Sequence, residues 1–250
     1  MKSVIKIVLI LLVLGCKQPK KETITIAVAA NMQFAIEEIA KAFTEHTGVT
    51  CSIVIGSSGK LTAQIKEGAP YDIFISANLK YPEEIYKNNL AVYPPKVYGY
   101  GQLVLWSMYD QKNLSLSTLL GNGVKHIALA NPKTAPYGEA AIEVLEKHKI
   151  YDSIKDKLVY GESIAQANQF IISKSTEIGF TAKSVVVSPK MKGKGYWITI
   201  DKNSYQPIDQ SVIIIKQENQ HIQKVQKFYD FLFAEEAKEI LEDFGYLVTE

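Results

Sequence analysis

Arginine is absent from this 250-residue chain, whose 28 basic residues other than histidine are all lysine. That excludes a bidentate guanidinium fork, the usual grip on amino acids, carboxylates and phosphate esters. An anion bound here must be held by neutral donors. Cysteine is nearly absent too. With Cys16 lipidated, as argued below, Cys51 stands alone in an apolar run, so the mature chain can form neither an internal disulfide nor a multi-cysteine metal site. Cys51 reads as a core residue. The four histidines, His46, His126, His148 and His221, are far apart without metal-ligand spacing, and no serine sits in a G-x-S-x-G elbow. Neither a catalytic residue, a cofactor nor a bound metal cation is expected. An excess of charge is missing as well: without Lys2 and Lys6 in the leader, 26 lysines face 26 acidic residues. A neutral chain offers no net attraction to nucleic acid. Internal repeats and low-complexity stretches are also absent.

The one long apolar run is at the start. Lys2 and Lys6 precede Ile7–Val13, which ends at Leu14-Gly15-Cys16. The run is too short to span a bilayer, and a charged start with a small residue before its end marks a secretory signal over residues 1–16. Val13-Leu14-Gly15-Cys16 resembles a bacterial lipobox, which makes Cys16 the lipidated first residue of the mature protein and residues 17–22 a polar tether. The expected location is the cell envelope, as a lipoprotein facing the periplasm or exterior and touching the membrane through its anchor alone. The competing reading is an ordinary signal peptide that happens to contain a cysteine.

Past the tether, β-branched runs repeatedly stop at a small polar turn where a helical pattern begins. Ile24–Ala30 meets Asn31, Cys51–Ile55 meets Gly56-Ser57-Ser58, and Ile127–Ala130 leads through Asn131-Pro132 to Pro136-Tyr137-Gly138. Each junction leaves free backbone N–H groups at a helix start with a hydroxyl or amide beside them, an arrangement suited to an oxyanion. The strand–helix alternation predicts an α/β protein with mostly parallel sheets and helices on both faces. A single long strand is expected over about Tyr98–Met108, a helix over Glu139–Lys147, late strands at Tyr196–Ile200 and Val212–Ile215, and a helical tail from about Gln220 to Phe244. Because that tail has no sheet of its own, it is expected to fold back onto the first lobe. The predicted organisation is therefore a discontinuous lobe 1 (residues 23–101 and 208–250) and a lobe 2 (102–207), joined by crossovers near Gly101 and Pro207.

Four of these motifs carry a resemblance. Ala29-Ala30-Asn31, Gly56-Ser57-Ser58-Gly59-Lys60-Leu61, Gly68-Ala69-Pro70-Tyr71-Asp72-Ile73-Phe74-Ile75-Ser76-Ala77, and Asn131-Pro132 with Pro136-Tyr137-Gly138 are similar, in order, to the periplasmic molybdate-binding proteins of ABC importers, which are type II solute-binding proteins. The similarity continues to Phe228-Tyr229-Asp230-Phe231-Leu232 and Phe244-Gly245-Tyr246. It implies a monomeric two-lobed protein that closes a cleft on molybdate or tungstate and delivers it to the transmembrane subunit of an ABC permease. Carried over residue by residue, the anion contacts fall on Asn31, on the hydroxyl and N–H of Ser58, and on the N–H groups of Tyr137 and Ile164, with Ala30 and Ser57 as further candidates. Many relatives have a tyrosine where this chain has Ala182; the Tyr137 hydroxyl either stands in for it or simply packs between the lobes. Lys60 and Lys183 are expected to face solvent near the cleft, steering an anion. The bland alternative makes Asn31 and Ser58 plain helix N-caps, worth about 1 kcal/mol each with no ligand. Sulfate or phosphate capture is the nearest rival function. An enzyme or a surface adhesin fits the residues less well.

Overall fold

The computed structural model describes residues 23–110, 113–218 and 221–248, so the signal segment, Cys16 and the tether lie outside the described residues. β1 (Thr23–Ala29) is followed by a 3-10 turn (Ala30–Met32), α1 (Gln33–Thr47), β2 (Thr50–Gly56), α2 (Ser58–Lys66), β3 (Ile73–Ser76), α3 (Lys80–Lys87) and β4 (Lys96–Gly101). The strand alternation decides how these pack. Ile24, Ile26 and Val28 of β1 join Ile73, Ile75, Val212 and Ile214 in one core with Ile36, Ile39 and Phe43 of α1. Ala27, Phe74 and Ile213 point the other way, onto Leu61 and Ile65 of α2 and Ile85 of α3. The sheet is thus covered on both faces.

After Gln102 the chain builds a second sheet. β5 (Leu103–Ser107), β6 (Ile127–Ala130), α4 (Pro136–Lys147), β7 (Leu158–Gly161), α5 (Ile164–Ile172), β8 (Ile178–Ala182), the single turn α6 (Lys183–Val186) and β9 (Tyr196–Thr199) surround a core that contains Trp106, Leu129 and Phe180. The chain then returns through β10 (Ile208–Ile214), α7 (Ile222–Phe231), α8 (Glu235–Asp243) and β11 (Leu247–Val248). The strand orders are β11-β4-β10-β3-β1-β2 in the first sheet and β7-β6-β8-β5-β9 in the second. The molecule is therefore a two-lobed α/β protein.

Five expectations change in detail. The sheets are mixed rather than mostly parallel: β1 pairs parallel with β2 and β3, and β6 with β7 and β8, but β10, β11 and β5 pair antiparallel with their neighbours. In each sheet the strand on which the chain arrives from the other lobe, β5 or β10, runs against the parallel set, and β11 runs against β4 at the edge. The long strand over Tyr98–Met108 is two strands, broken at Gln102 because β4 and β5 belong to different sheets. α4 starts at Pro136 rather than Glu139, using proline at its first position. The tail breaks around Leu232–Ala234 into two helices and ends in β11, which pairs with β4 of the first sheet. Cys51 lies on the edge strand β2, half-buried rather than in the core, and burial pushes its thiol up to about 12.

Candidate functional site

The junctions between strands and helices meet at one place between the sheets. Asn31 lies in the 3-10 turn after β1, Ser58 is the first residue of α2, Tyr137 the second of α4 and Ile164 the first of α5. These four line a single cavity of about 10 Å³ together with Ala29, Ala30, Ser57, Ala77, Ala135 and Pro136. Asn31, Ser58, Tyr137, Ile164, Ala30 and Ser57 are each no more than 3% exposed. A cavity of that size holds roughly one water, so the walls stand closed. All six sequence-derived candidates are brought together, Asn31, Ala30, Ser57 and Ser58 from elements of the first sheet and Tyr137 and Ile164 from elements of the second.

Their chemistry is that of donors. Ser58, Tyr137 and Ile164 lie in first helical turns, where a backbone N–H has no intrahelical acceptor. Three helix starts also turn their positive dipole ends toward this region. The capping alternative fails in detail, because the N-cap of α2 is Ser57, whose hydroxyl accepts from Lys60 N–H at 3.4 Å. Ser58 is left for another task. Its hydroxyl oxygen accepts from Ala77 N–H at 3.1 Å, so its hydrogen remains to be donated. Asn31 caps nothing either.

The Asn31 side chain departs from expectation. Its amide donates to Gln210 Oε1 at 2.7 Å and to the Tyr246 hydroxyl at 3.0 Å, so both amide hydrogens are committed to the protein. The expected role of Tyr137 is also altered. Its hydroxyl is buried without a hydrogen-bond partner and sits against Gly101, where an added Cβ would collide with it. Only glycine fits at that point of β4. Burial pushes the Tyr137 phenol well above its usual range, as do the neighbouring hydroxyls of Tyr246, Tyr205 and Tyr98, while Asn31 works weakly the other way. Ala182 ends β8, paired with Leu103 in the ladder to β5.

The sequence profile of the family described as bacterial extracellular solute-binding protein matches residues 24–247. The chain belongs to that family. It is similar to the molybdate-binding protein ModA of Rhodobacter capsulatus, 37% identical over 90% of this chain and 87% of the relative, and to ModA of Azotobacter vinelandii, 36% identical over 93% and 92%. Among solved structures, the Azotobacter vinelandii periplasmic molybdate-binding protein superposes with a TM-score of 0.85 at 31% identity, covering 91% of this chain and all of that one.

In this solute-binding protein the cavity is sealed by contacts between the two lobes. Gly59 N–H donates to Thr134 carbonyl at 2.9 Å, Tyr81 hydroxyl to Lys133 carbonyl at 3.1 Å, and Lys60 pairs with Glu162 at 2.5 Å. Lys60 is exposed at the rim, as expected, with its ammonium paired across it to Glu162, and the stem of Lys183 lies over Gly245. Sequence reasoning did not find Ser184, Gln210 or Tyr246, which surround Asn31. They lie 153 to 215 residues from it along the chain; no local pattern marks Ser184 or Gln210, and Tyr246 is marked only as the end of the shared Phe244-Gly245-Tyr246 stretch.

Proposed function

We propose that this solute-binding protein captures molybdate outside the cytoplasm for an ABC permease. It is a transport protein, not an enzyme. The observation that supports the reading is that Ser58, Tyr137 and Ile164, each in the first turn of a helix, line one buried cavity, where the Ser58 hydroxyl also has a spare hydrogen. Asn31 contributes through its backbone N–H, and Ala30 and Ser57 complete the wall. A dianion there receives charge-assisted hydrogen bonds from fixed dipoles, with no cation needed to neutralise it. The relatives named ModA carry their molybdate-binding names over nearly the whole length compared, which supports molybdate over sulfate or phosphate. Tungstate, a tetrahedral dianion of nearly equal size, is read as a second ligand. The cavity is smaller than any tetrahedral oxyanion, so loading requires the lobes to part and close again.

The same reading extends to the ends of the chain. Residues 1–16 are a signal peptide, Cys16 carries lipid and the tether of residues 17–22 holds the monomer at the membrane surface, where it meets the permease transmembrane subunit. Lobe 1 comprises residues 23–101 and 208–250 and lobe 2 residues 102–207. The decisive experiment is calorimetric titration of the purified, ligand-free protein with molybdate, tungstate, sulfate and phosphate. Tight binding of molybdate or tungstate, with sulfate and phosphate weak, is the expected result. Heat with neither molybdate nor tungstate would overturn the oxyanion reading, and stronger heat with sulfate or phosphate would redirect it.

A further inference from the structure

Asn31 is held by four hydrogen bonds, and they do not all come from the same lobe. Its amide donates to Gln210 Oε1 at 2.7 Å and to Tyr246 hydroxyl at 3.0 Å, and the Tyr246 hydroxyl in turn donates to the Asn31 carbonyl at 3.1 Å. Gln210 belongs to β10 and Tyr246 immediately precedes β11, both of the first sheet. The fourth bond differs. Ser184, in α6 at the end of the second-sheet strand β8, donates its hydroxyl to the Asn31 carbonyl at 2.7 Å. Ser184 is 3% exposed and Asn31 is 2% exposed. The residue before Ser184 is anchored at the crossover itself, Lys183 N–H donating to Gln102 carbonyl at 2.9 Å. Gln102 also donates through Nε2 to Gly245 carbonyl at 2.7 Å, beside Tyr246.

We infer that Ser184 is a positioning residue which couples the angle between the lobes to the anion-binding turn. Asn31 lies in the 3-10 turn that walls the cavity, so the direction of its carbonyl fixes the peptide planes of that turn. Gln210 and Tyr246 hold the side of this turn belonging to its own lobe. Ser184 holds it from the other lobe, and a change of angle at Gln102 alters the Ser184–Asn31 distance. The closed lobes and an ordered turn therefore stabilise each other, and an anion seated on the turn inherits that stabilisation as slower release. The inference rests on the oxyanion reading above.

Rapid-mixing kinetics with molybdate on wild type, Ser184→Ala and Ser184→Thr tests it, with thermal unfolding of each ligand-free protein alongside. Loss of one buried hydrogen bond made in the closed form is expected to raise the release rate about three- to tenfold in Ser184→Ala. The capture rate and the ligand-free melting temperature stay near wild type, and Ser184→Thr restores slow release. Unchanged release in Ser184→Ala, with wild type binding normally, overturns this inference alone. A drop in ligand-free melting temperature that accounts for the affinity loss, with no rescue by Ser184→Thr, shows a merely structural role and overturns it too. Wild-type protein that binds neither molybdate nor tungstate removes the reading beneath it.

Discussion

Ala77 N–H donates to the Ser58 hydroxyl oxygen at 3.1 Å, which fixes that oxygen as an acceptor and points its one hydrogen elsewhere. Ser58 also opens α2 and lines the cavity, where its first-turn N–H has no intrahelical acceptor. Removing the hydroxyl takes a charge-assisted donor from a buried anion and leaves Ala77 N–H without its acceptor. Ser58→Ala should weaken molybdate binding by about 1 to 3 kcal/mol, or roughly five- to 150-fold, in calorimetric titration. Full affinity in that variant would place the anion elsewhere.

Gly59 offers a test in which stability and affinity move in opposite directions. It lies inside α2, where alanine is favoured over glycine by up to about 1 kcal/mol. In the closed protein, however, a Cβ at that position comes within 2.9 Å of the Tyr81 hydroxyl and 3.0 Å of Thr134 Cα across the cleft. The backbone of Thr134 cannot yield as a side-chain tip can, and overpacking of this kind typically costs about 1 to 3 kcal/mol. Gly59→Ala should therefore melt no lower than wild type without ligand, yet bind molybdate more weakly. A variant that binds as tightly as wild type would mean that closure does not bring these backbones together.

The parts of this molecule legible in the sequence are those encoded over a few residues. The switch from an alternating apolar run to a helical pattern at Asn31, Ser58 and Pro136 located three walls of the cavity. What escaped depends on pairing over long separations. The sequence places a crossover near Gly101, but its β pattern carries on past Gln102, so the split of Tyr98–Met108 into Lys96–Gly101 and Leu103–Ser107, one strand in each sheet, shows only in the pairing. Leu247–Val248 is too short to show a period, and its strand character comes from pairing with Tyr100 and Gly99. Ser184 and Gln210 look like ordinary polar residues, and Tyr246 like the end of a shared stretch with no stated role, until the fold gathers them on Asn31. That gathering also commits the Asn31 amide hydrogens, which motif matching had assigned to the ligand.

Lipidation of Cys16 is open to direct measurement. If the lipobox is processed, mass spectrometry of the mature protein shows a lipid-modified first residue, and Cys16→Ser either releases the protein from the membrane fraction or leaves an unprocessed precursor. Molybdate affinity should not change, because the anchor precedes the folded lobes. Mature wild-type protein without lipid would make Val13-Leu14-Gly15-Cys16 an ordinary signal-peptide end.

Asp209 links stability to pH. It is half-buried in β10, and burial raises its carboxyl above the ordinary value of about 3.9. The folded state therefore holds this proton more tightly than the unfolded state, and the carboxylate subtracts from stability as pH rises through the folded value. Above that point the cost is constant. Asp209→Asn should raise the melting temperature at pH 7, and the gain should vanish near about pH 3, where both states of the wild type are protonated. An equal shift at both pH values would mean that packing, not charge, distinguishes the two side chains.

Affinity itself should be nearly flat between about pH 6 and pH 9. The cavity is lined by Asn31, Ser57, Ser58, Tyr137, Ile164, alanines and a proline, and no histidine or carboxylate is among them. Tyr137 is the one lining side chain that titrates at all. Burial pushes its phenol well above the usual value of about 10, and burial likewise raises Tyr246 behind Asn31, so both stay protonated throughout that range. His46 lies against Glu236, His126 against Glu177 and His148 against Ser204, all outside the cavity wall. Sulfate should bind more weakly at every pH, since its shorter bonds leave fixed donors too far from its oxygens, and phosphate should too, because its proton would face a donor instead of an acceptor. Titrations at several pH values in one buffer series check this. A steep fall centred near about pH 6.5 would bring a histidine into the site, and that would contradict a cavity built from backbone N–H groups and one serine hydroxyl.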